Sequence, residues 1–486
     1  MSTIQDLEPR QIISHFSALS AIPRGSQNEK AVSDYVADFA RARGLEVRQD
    51  AMSNLLVRKP GTKGYENAPT VILHGHLDMV CEKNDGVEHD FINDGIRLVV
   101  DGDYIRADGT SLGADNGVGI AFIMALLEST DIAHPPLEAV MTVMEEMGKA
   151  GVAAFDMSQL RGSRMIDFNW VTERQILAGC GGDVTCTIDA PAEWTAPAPG
   201  SAALKVRAAG LAGGHCEFQI HLERANGILL IARVFNALAE KLDVTLASFD
   251  AGAQNNVIPA HGDIVVVLKG ADVGQAREII AALEDTLRKE FAVADPTLHF
   301  EVEDVDVPAK VFSPSASKRL TQLISVIPNG IQSMSRKIDG LVESSNNVGT
   351  VRMTDSGVTI ASTITAGVGS RKHDIFNRIR NLTELAGGGM VFKQFGLDAP
   401  EFPPTEGSPV VAAAVEAYAH VHKEKPEVLV SSCSLELGFF CASIPGLDTV
   451  SLGVELHSLH SPRERVGHAS IAKTWALIQD FMPRLH

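Results

Sequence analysis

The first third of the chain alternates short apolar runs with stretches of helical periodicity. Residues 70–80 (TVILHGHLDMV) and 137–146 (LEAVMTVMEE) are apolar runs of strand length, and a helical pattern at residues 117–129 (GVGIAFIMALLES) separates them. Strands that alternate with helices are typical of a sheet with helical crossovers. We therefore predict an α/β fold for this part of the chain.

The pattern changes near residue 183, where a Pro- and Ala-rich stretch at residues 190–201 interrupts the alternation. Strands and helices then alternate in two similar passes, which suit an open sheet with helices on one face. Near the end the first alternation resumes and closes on a strand, a loop and a long amphipathic helix. Since 486 residues exceed one hydrophobic core, we predict segments 1–185, 186–385 and 386–486, the last returning to the first domain.

Residues 101–109 (DGDYIRADG) resemble a calcium-binding loop at first sight. The segment lacks the acidic residue that closes such a loop, and its two Asp-Gly pairs favour tight turns. We therefore predict a β-hairpin here.

Composition narrows the classes of ligand. The net charge of −19 at pH 7 disfavours nucleic acids and anionic membranes, because both require a basic surface. No apolar run reaches the length of a membrane span, and the first residues do not resemble an export signal. The six cysteines include no Cys-x-x-Cys pair, so we expect reduced thiols and a cytoplasmic protein.

Imidazole and carboxylate side chains gather at the ends of the predicted strands. His76 and Asp78 are two residues apart near the end of an apolar strand, so both project to one face. A histidine there could be a metal ligand or a hydrogen-bonded core residue. Asp115 lies where a loop enters a helix, and it could cap that helix. His460 follows an apolar strand, in a loop that could present it to a ligand.

Glu145 and Glu146 end another apolar strand. Adjacent strand residues point to opposite faces, so the two carboxylates can have different functions. One could bind a metal ion and the other could transfer a proton.

Six ordered segments together resemble the aminoacylase/carboxypeptidase type of di-metal peptidases, and within it the aminoacyl-histidine (Xaa-His) dipeptidase branch. The segments are HGHLDMV (74–80), GADNGVG (113–119), MEEMGKAGV (144–152), GCGGD (179–183), GGHCEFQIHLERANG (213–227) and HSLHSPRERV (457–466). The resemblance implies a di-zinc-peptidase-like catalytic domain, built from both ends of the chain, and an inserted α+β lid domain. It covers nearly the whole chain.

The resemblance also implies roles for the candidate residues. His76 would bind one metal ion, Glu146 and His460 would bind the other, and Asp115 would bridge the two. Asp78 would orient His76, while Glu145 would act as general base. Zinc is the expected ion, with manganese or cobalt as alternatives, and one or two ions are expected per chain.

Several positions depart from the family pattern. Asn169 stands where the family has an aspartate ligand, so we expect a weaker site shared with His76, unless Asp167 replaces that ligand. Ser432 stands where the branch has a histidine, and Ala366 where it has an arginine that holds the substrate carboxylate. Arg371 lies nearby and could substitute for that arginine, or it could simply be an exposed loop residue.

Other residues of the family pattern are retained. His215 aligns with a histidine that stabilises the developing oxyanion, although a histidine after two glycines could also be a plain surface residue. Glu436, Asn256 and Arg371 are the candidate substrate-binding residues.

Together these features predict a metal-dependent hydrolase that acts on a small peptide or amide, with Xaa-His dipeptidase as the nearest named activity. One alternative is an amidohydrolase for an N-acyl amino acid or an unusual amide. Another is a non-catalytic peptide-binding protein, which the retention of Glu145 disfavours. We expect no nucleic-acid or membrane partner, and a homodimer is compatible with the sequence.

Overall fold

The computed structural model describes residues 3–486, which form two compact units. Unit 1 contains the chain up to Cys180 together with Phe402–Ser431 and Leu435–His486. Unit 2 contains Gly181–Glu401 and Ser432–Ser434. The strands are β1 (Glu46–Gln49), β2 (Leu55–Lys59), β3 (Val71–His76), β4 (Leu98–Asp101), β5 (Tyr104–Ala107), β6 (Leu137–Thr142), β7 (Arg164–Trp170), β8 (Gln175–Pro191), β9 (Trp194–Thr195), β10 (Ser201–Ala209), β11 (Gly214–His215), β12 (Val244–Ala251), β13 (Val257–Ile258), β14 (Gly262–Lys269), β15 (His299–Val305), β16 (Val311–Phe312), β17 (Gly330–Met334), β18 (Val342–Thr354), β19 (Gly357–Ala366), β20 (Val391–Asp398), β21 (Glu427–Ser434), β22 (Asp448–Gly453), β23 (Leu456–His457) and β24 (Arg465–Gly467).

The helices include two that begin with a Ser-Pro pair, Ser408-Pro409 and Ser313-Pro314. In each pair the serine hydroxyl accepts a hydrogen bond from a first-turn amide, and the proline occupies the first helical position. In chain order the helices are α1 (Arg10–Ser20), α2 (Lys30–Arg41), α3 (Ala114–Glu128), α4 (Ala150–Ala154), α5 (Cys216–Gln219), α6 (Gly227–Ala239), α7 (Val273–Glu290), α8 (Pro314–Val326), α9 (Gly369–Ala386), α10 (Pro409–His422), α11 (Leu437–Ser443) and α12 (His468–Phe481).

Unit 1 is built on a mixed sheet with the order β1-β2-β6-β3-β7-β22, followed by the first part of β8. Strand β3 is parallel to both β6 and β7, and β22 is parallel to β7. Every residue of β3 and β6 is buried, as expected for parallel strands covered on both faces. The carboxyl ends of these strands therefore meet at one edge of the sheet, where open α/β sheets bind their ligands.

Helix α3 lies at the centre of unit 1, where it packs on β3, β7 and α1. Its residues from Asn116 to Leu127 are all buried, which explains why the segment is apolar all round. On one side the ring of Phe122 stacks on that of Trp475 in α12, with centroids 6.1 Å apart. This packing fixes the amino-terminal turn of α3 relative to the sheet edge.

In unit 2 the second part of β8 is the first strand of a sheet, and the strands β19-β18-β12-β14-β10-β15 follow it in that order. Its apolar core includes residues of α6, α7 and α8 together with the strands, in agreement with the predicted two passes of strands and helices. The second boundary lies after Glu401 and not near residue 386, because β20 pairs with residues 184–189 of β8. The first boundary falls inside β8, at Cys180.

The fold has three further features. Strands β4 and β5 form the expected hairpin at residues 98–107, with Gly102 at a positive φ of 60° in its turn. The six cysteines are free thiols. Among residues 3–486, each helix is too short or too polar to cross a bilayer.

Candidate metal centre

The end of β3 places His76 and Asp78 side by side, as their spacing predicts. Both side chains are buried, and His76 Nδ1 lies 3.4 Å from Asp78 Oδ1, which is longer than a good hydrogen bond. Burial opposes ionisation of Asp78, but the neighbouring imidazole of His76 and the hydrogen bond from Ser26 lower its pKa. A carboxylate beside one ring nitrogen leaves His76 Nε2 facing the opposite way.

Asp115 lies opposite that Nε2 atom, at the start of α3. Its φ and ψ of −78° and 108° are not helical, and its peptide bond to Asn116 is cis. Asp115 Oδ1 lies 3.0 Å from His76 Nε2, and Asp115 Oδ2 lies 3.5 Å from His460 Nε2. One carboxylate thus spans the two histidines.

The prediction that Glu145 and Glu146 end a strand is wrong. Strand β6 ends at Thr142, and the two glutamates lie in a turn that follows Met144, whose φ is +57°. Their backbone amides each donate to Asp78, over 3.1 Å. Burial raises the pKa of Glu145 to about 8.

His460 lies in the loop between β23 and β24 at a φ of +57°, and its side chain stays 48% exposed. Its Nε2 atom lies 3.1 Å from Glu146 Oε2. Desolvation lowers the pKa of His460, but hydrogen bonds to Asp115 and Glu146 outweigh it and raise the pKa to about 11. Four of the predicted ligands therefore meet at the carboxyl edge of the unit 1 sheet.

These side chains fit a divalent metal ion. His76, Asp115 and Glu146 offer ligand atoms that all lie within 4.8 Å of one another, and His460 contacts two of the three. Within residues 3–486, Glu146 Oε1 is buried without a hydrogen-bond partner, which is costly unless another group satisfies it. Imidazole and carboxylate donors are the ligands that zinc accepts in hydrolytic sites.

Asn169, the doubtful ligand, lies near the end of β7. Its Oδ1 atom accepts a hydrogen bond of 2.6 Å from Asn116 Nδ2, so this oxygen already has a partner. Asn169 and Asp115 line the same small cavity. The amide oxygen is thus close to the carboxylate that spans the histidines.

Asp167 is not available as a replacement ligand, because it belongs to a separate buried cluster. Its Oδ1 lies 2.7 Å from His74 Nδ1, and its Oδ2 accepts from Ser451. His74 Nε2 lies 3.1 Å from Glu436 Oε2, which also accepts from Thr142 over 2.6 Å. Glu436, a candidate substrate-binding residue, is only 1% exposed and belongs to this buried cluster, and its contact with a substrate stays a prediction.

The remaining candidates lie in unit 2. His215 Nδ1 accepts from the amide of Glu217 over 3.2 Å, so in the neutral ring Nε2 carries the proton. Arg371 lies in the first turn of α9 and not in a loop; its Nε atom is 3.0 Å from Glu343 Oε2. Asn256 is exposed in the turn before β13.

Unit 2 also contains the two positions that are predicted to depart from the family pattern. Ala366 is buried at the end of β19, with 1% exposure, and the hydroxyl of Ser432 donates to the carbonyl of Glu217 over 2.6 Å.

Three residues between α1 and α2 support the centre, although no sequence pattern marks them. Arg24 donates to the carbonyls of Leu77 and Asp78, Ser26 donates to Asp78, and Glu29 accepts from the amide of Met144. A buried arginine and a buried glutamate in a short connection are unusual. Their burial could not be read from the polar composition of that connection.

Comparison with known proteins identifies relatives along the whole chain. The model of peptidase family M20/M25/M40 matches residues 72–484. The cytosol non-specific dipeptidase of Escherichia coli (strain K12) is 31% identical over 485 residues, which cover 100% of this chain and 99% of that protein.

Solved structures agree with this relationship. The aminoacylhistidine dipeptidase of Vibrio alginolyticus superposes with a TM-score of 0.85 at 30% identity, covering 99% of this chain and 98% of the other. The aminopeptidase PepT of Bacillus cereus ATCC 10987 has a TM-score of 0.56 at 15% identity, with 99% of both chains covered, and shares the fold. The resemblance found in the sequence motifs is thereby confirmed: the chain belongs to peptidase family M20/M25/M40.

Proposed function

We propose that this protein is a metal-dependent dipeptidase, which hydrolyses the amide bond of a dipeptide or a dipeptide-like substrate. The observation that carries the proposal is the cluster of His76, Asp115, Glu146 and His460 beside the desolvated carboxyl group of Glu145. Hydrolysis by an activated water needs such a ligand set and a nearby base. Two relatives that match the full chain are named dipeptidases, which supports dipeptides as the substrate class.

The cluster would hold one or two divalent ions, with zinc expected and manganese or cobalt as alternatives. His76 would ligate one position, Glu146 and His460 the other, and Asp115 would contribute to both, in line with its contacts to the two histidines. A bound ion would supply Lewis acidity and lower the pKa of water.

Glu145 would transfer the proton. Its carboxylate would accept a proton from the attacking water and donate it to the leaving amine nitrogen. In the metal-free protein, burial favours the neutral acid, whereas a nearby positive charge favours the carboxylate that a base must be. Asp78 would keep the ring of His76 in place while its oxygens hold the turn of Glu145 and Glu146.

The roles that the resemblance gives to His215, Asn256 and Arg371 remain predictions. A cytoplasmic location is likewise inferred, from the name of the Escherichia coli relative.

An activity screen tests the proposal. The protein is stripped with a chelator, reconstituted with Zn²⁺, Mn²⁺ or Co²⁺, and assayed against a dipeptide library that includes carnosine and Xaa-His members, together with N-acyl amino acids. We expect metal-dependent cleavage of dipeptides. Cleavage of N-acyl amino acids alone would indicate the amidohydrolase alternative, and binding of peptides without cleavage would indicate the non-catalytic one.

A further inference from the structure

A buried carboxylate caps the backbone amides of the loop that leads into α3. Glu464 accepts hydrogen bonds from the backbone amides of Leu112 at 2.8 Å, Gly113 at 2.9 Å, Ala114 at 2.9 Å and Asp115 at 3.4 Å. The residue is 3% exposed. Both carboxylate oxygens are used, so this contact is a complete cap of the loop.

Glu464 belongs to the same loop as His460, only four residues further along the chain. Its carboxylate therefore ties the segment that carries His460 to the segment that carries Asp115. The side chains of His460 and Asp115 lie 3.5 Å apart. The distance between them depends on how the two loops are joined.

Arg24 holds the same α3 loop from the other side. Its guanidinium group is 2% exposed and donates to the carbonyls of Leu77 at 2.9 Å, Asp78 at 3.1 Å and Gly113. Arg24 thus joins the end of β3, with His76, to the α3 loop. Its positive charge also offsets the burial of the carboxylate of Glu464.

We propose that Glu464 is a positioning residue, which together with Arg24 fixes the spacing of His76, Asp115 and His460 before any metal ion binds. The proposal rests on the metal-dependent function proposed above. A glutamine at this position would break the arrangement, because its amide nitrogen cannot accept and would face amides that also donate. Preorganised ligands bind a metal more tightly than ligands that must first be ordered.

The test compares Glu464→Gln with Glu138→Gln. Glu138 is a matched control: it is 2% exposed, and it accepts from the amides of Arg161 at 2.8 Å and Gly162 at 3.0 Å. Glu138 lies near the start of β6, whereas the proposed ligand Glu146 follows the end of that strand. Zinc affinity is measured by competition with a chromogenic chelator, alongside the midpoint of thermal unfolding.

We expect Glu464→Gln to weaken zinc binding by at least about tenfold, whereas Glu138→Gln should lower the unfolding midpoint and leave zinc affinity within about twofold. If wild type binds zinc and Glu464→Gln binds it equally well, the positioning role is wrong. If wild type itself binds no zinc, the metal centre is refuted and the positioning role with it.

A second measurement uses the wild-type protein and does not depend on the folding of a variant. Hydrogen exchange of the amides of residues 112–115 is followed by mass spectrometry before and after zinc addition. Because the proposed arrangement exists without metal, we expect these amides to be protected in both states. Rapid exchange that slows only when zinc is added would overturn the proposal.

Discussion

In this centre the pKa of one carboxyl group is raised and that of another is lowered, because their surroundings differ. Burial raises the pKa of Glu145 to about 8. Asp115 is partly buried, which also opposes ionisation, yet hydrogen bonds to His460 and His76 lower its pKa well below the usual range. Neighbouring carboxyl groups can therefore divide proton transfer and metal binding between them.

Glu145→Gln should lower kcat by at least about a hundredfold while the bound metal is retained, because the base is lost and the ligands stay. Metal content is measured by elemental analysis after dialysis. Glu88→Gln, a change at an exposed glutamate, serves as the control and should retain full activity. A Glu145→Gln variant with near-wild-type rates would remove Glu145 from the proposed mechanism.

Asn169→Asp should raise the metal stoichiometry of the dialysed protein. The wild type is expected to hold clearly less than two equivalents, because an amide oxygen is a weaker donor than a carboxylate. The hydrogen bond from Asn116 would persist, since a carboxylate accepts it equally well. The exposed control Asn67→Asp should change nothing. Two tightly held ions in the wild type would contradict this prediction.

How far the sequence predicts the centre depends on the residue. The placement of His76, Asp78, Asp115 and His460 could be predicted, because each lies beside an end of an apolar strand or helix. Glu464 could not, since its hydrogen bonds reach loop amides about 350 positions earlier in the chain. Contacts between a side chain and a distant backbone leave no periodic pattern in the sequence.

At the scale of elements, a buried ion cluster links several strands of unit 1. His74 on β3 contacts Asp167 on β7, as well as Glu436, which precedes α11. Desolvation lowers the pKa of His74, but the two carboxylates outweigh it and raise the pKa to about 9. The cluster joins β3, which carries His76, to β7, which carries Asn169.

His74→Phe should destabilise the chelator-treated protein by about 3–5 kcal/mol, because two buried carboxylates lose their partner. The pKa of His74 is higher in the folded state than the usual 6.5. The contribution of His74 to the free energy of unfolding is therefore complete below pH 6.5 and is lost as the pH rises toward about 9. We expect the thermal midpoint of wild type to fall across this range, and the fall to flatten in His74→Phe.

His134→Phe is the matched control, since His134 is buried and its pKa is lowered. Its contribution is lost below pH 6.5, so this variant should keep the wild-type slope at higher pH. An unchanged slope in His74→Phe would show that the imidazole of His74 is not charged in the folded protein.

The elements themselves could largely be predicted, because buried parallel strands and amphipathic helices have distinct periods. The turn after β6 could not, since apolar residues continue through Met144 after the strand has ended at Thr142. The second boundary between the units, predicted near residue 386, lies after Glu401. Strand β20 is largely exposed, and its pairing with β8 cannot be read from its apolar pattern.

At the scale of the whole molecule, family membership leaves the choice of substrate open, because positions that depart from the family pattern are predicted to contact the substrate. If Ala366 stands in place of an arginine that holds the substrate carboxylate, as the family pattern predicts, the lost contact is worth about 1.5–3 kcal/mol or roughly ten- to a hundredfold in affinity. Arg371 already contacts Glu343. Carnosine should therefore be a poor substrate, with kcat/KM well below that of another dipeptide.

Arg371→Ala tests whether this guanidinium binds the substrate carboxylate. If it does, KM for dipeptides should rise about tenfold or more, while Arg380→Ala, at an exposed position of the same helix, should leave it unchanged. If carnosine is hydrolysed efficiently, and equally well by Arg371→Ala, then neither Ala366 nor Ser432 impairs recognition of an Xaa-His dipeptide.

The central claim is that His76, Asp115, Glu146 and His460 hold the metal ion on which dipeptide hydrolysis depends. Its most direct test is the initial rate of dipeptide cleavage as Zn²⁺ is titrated into chelator-treated wild type and into His460→Ala. We predict that wild type is inactive without metal and recovers fully near stoichiometric zinc, whereas His460→Ala needs at least about tenfold more zinc, because it has lost a ligand. Wild-type cleavage that persists after chelation, or superimposable titrations of the two proteins, would contradict the claim.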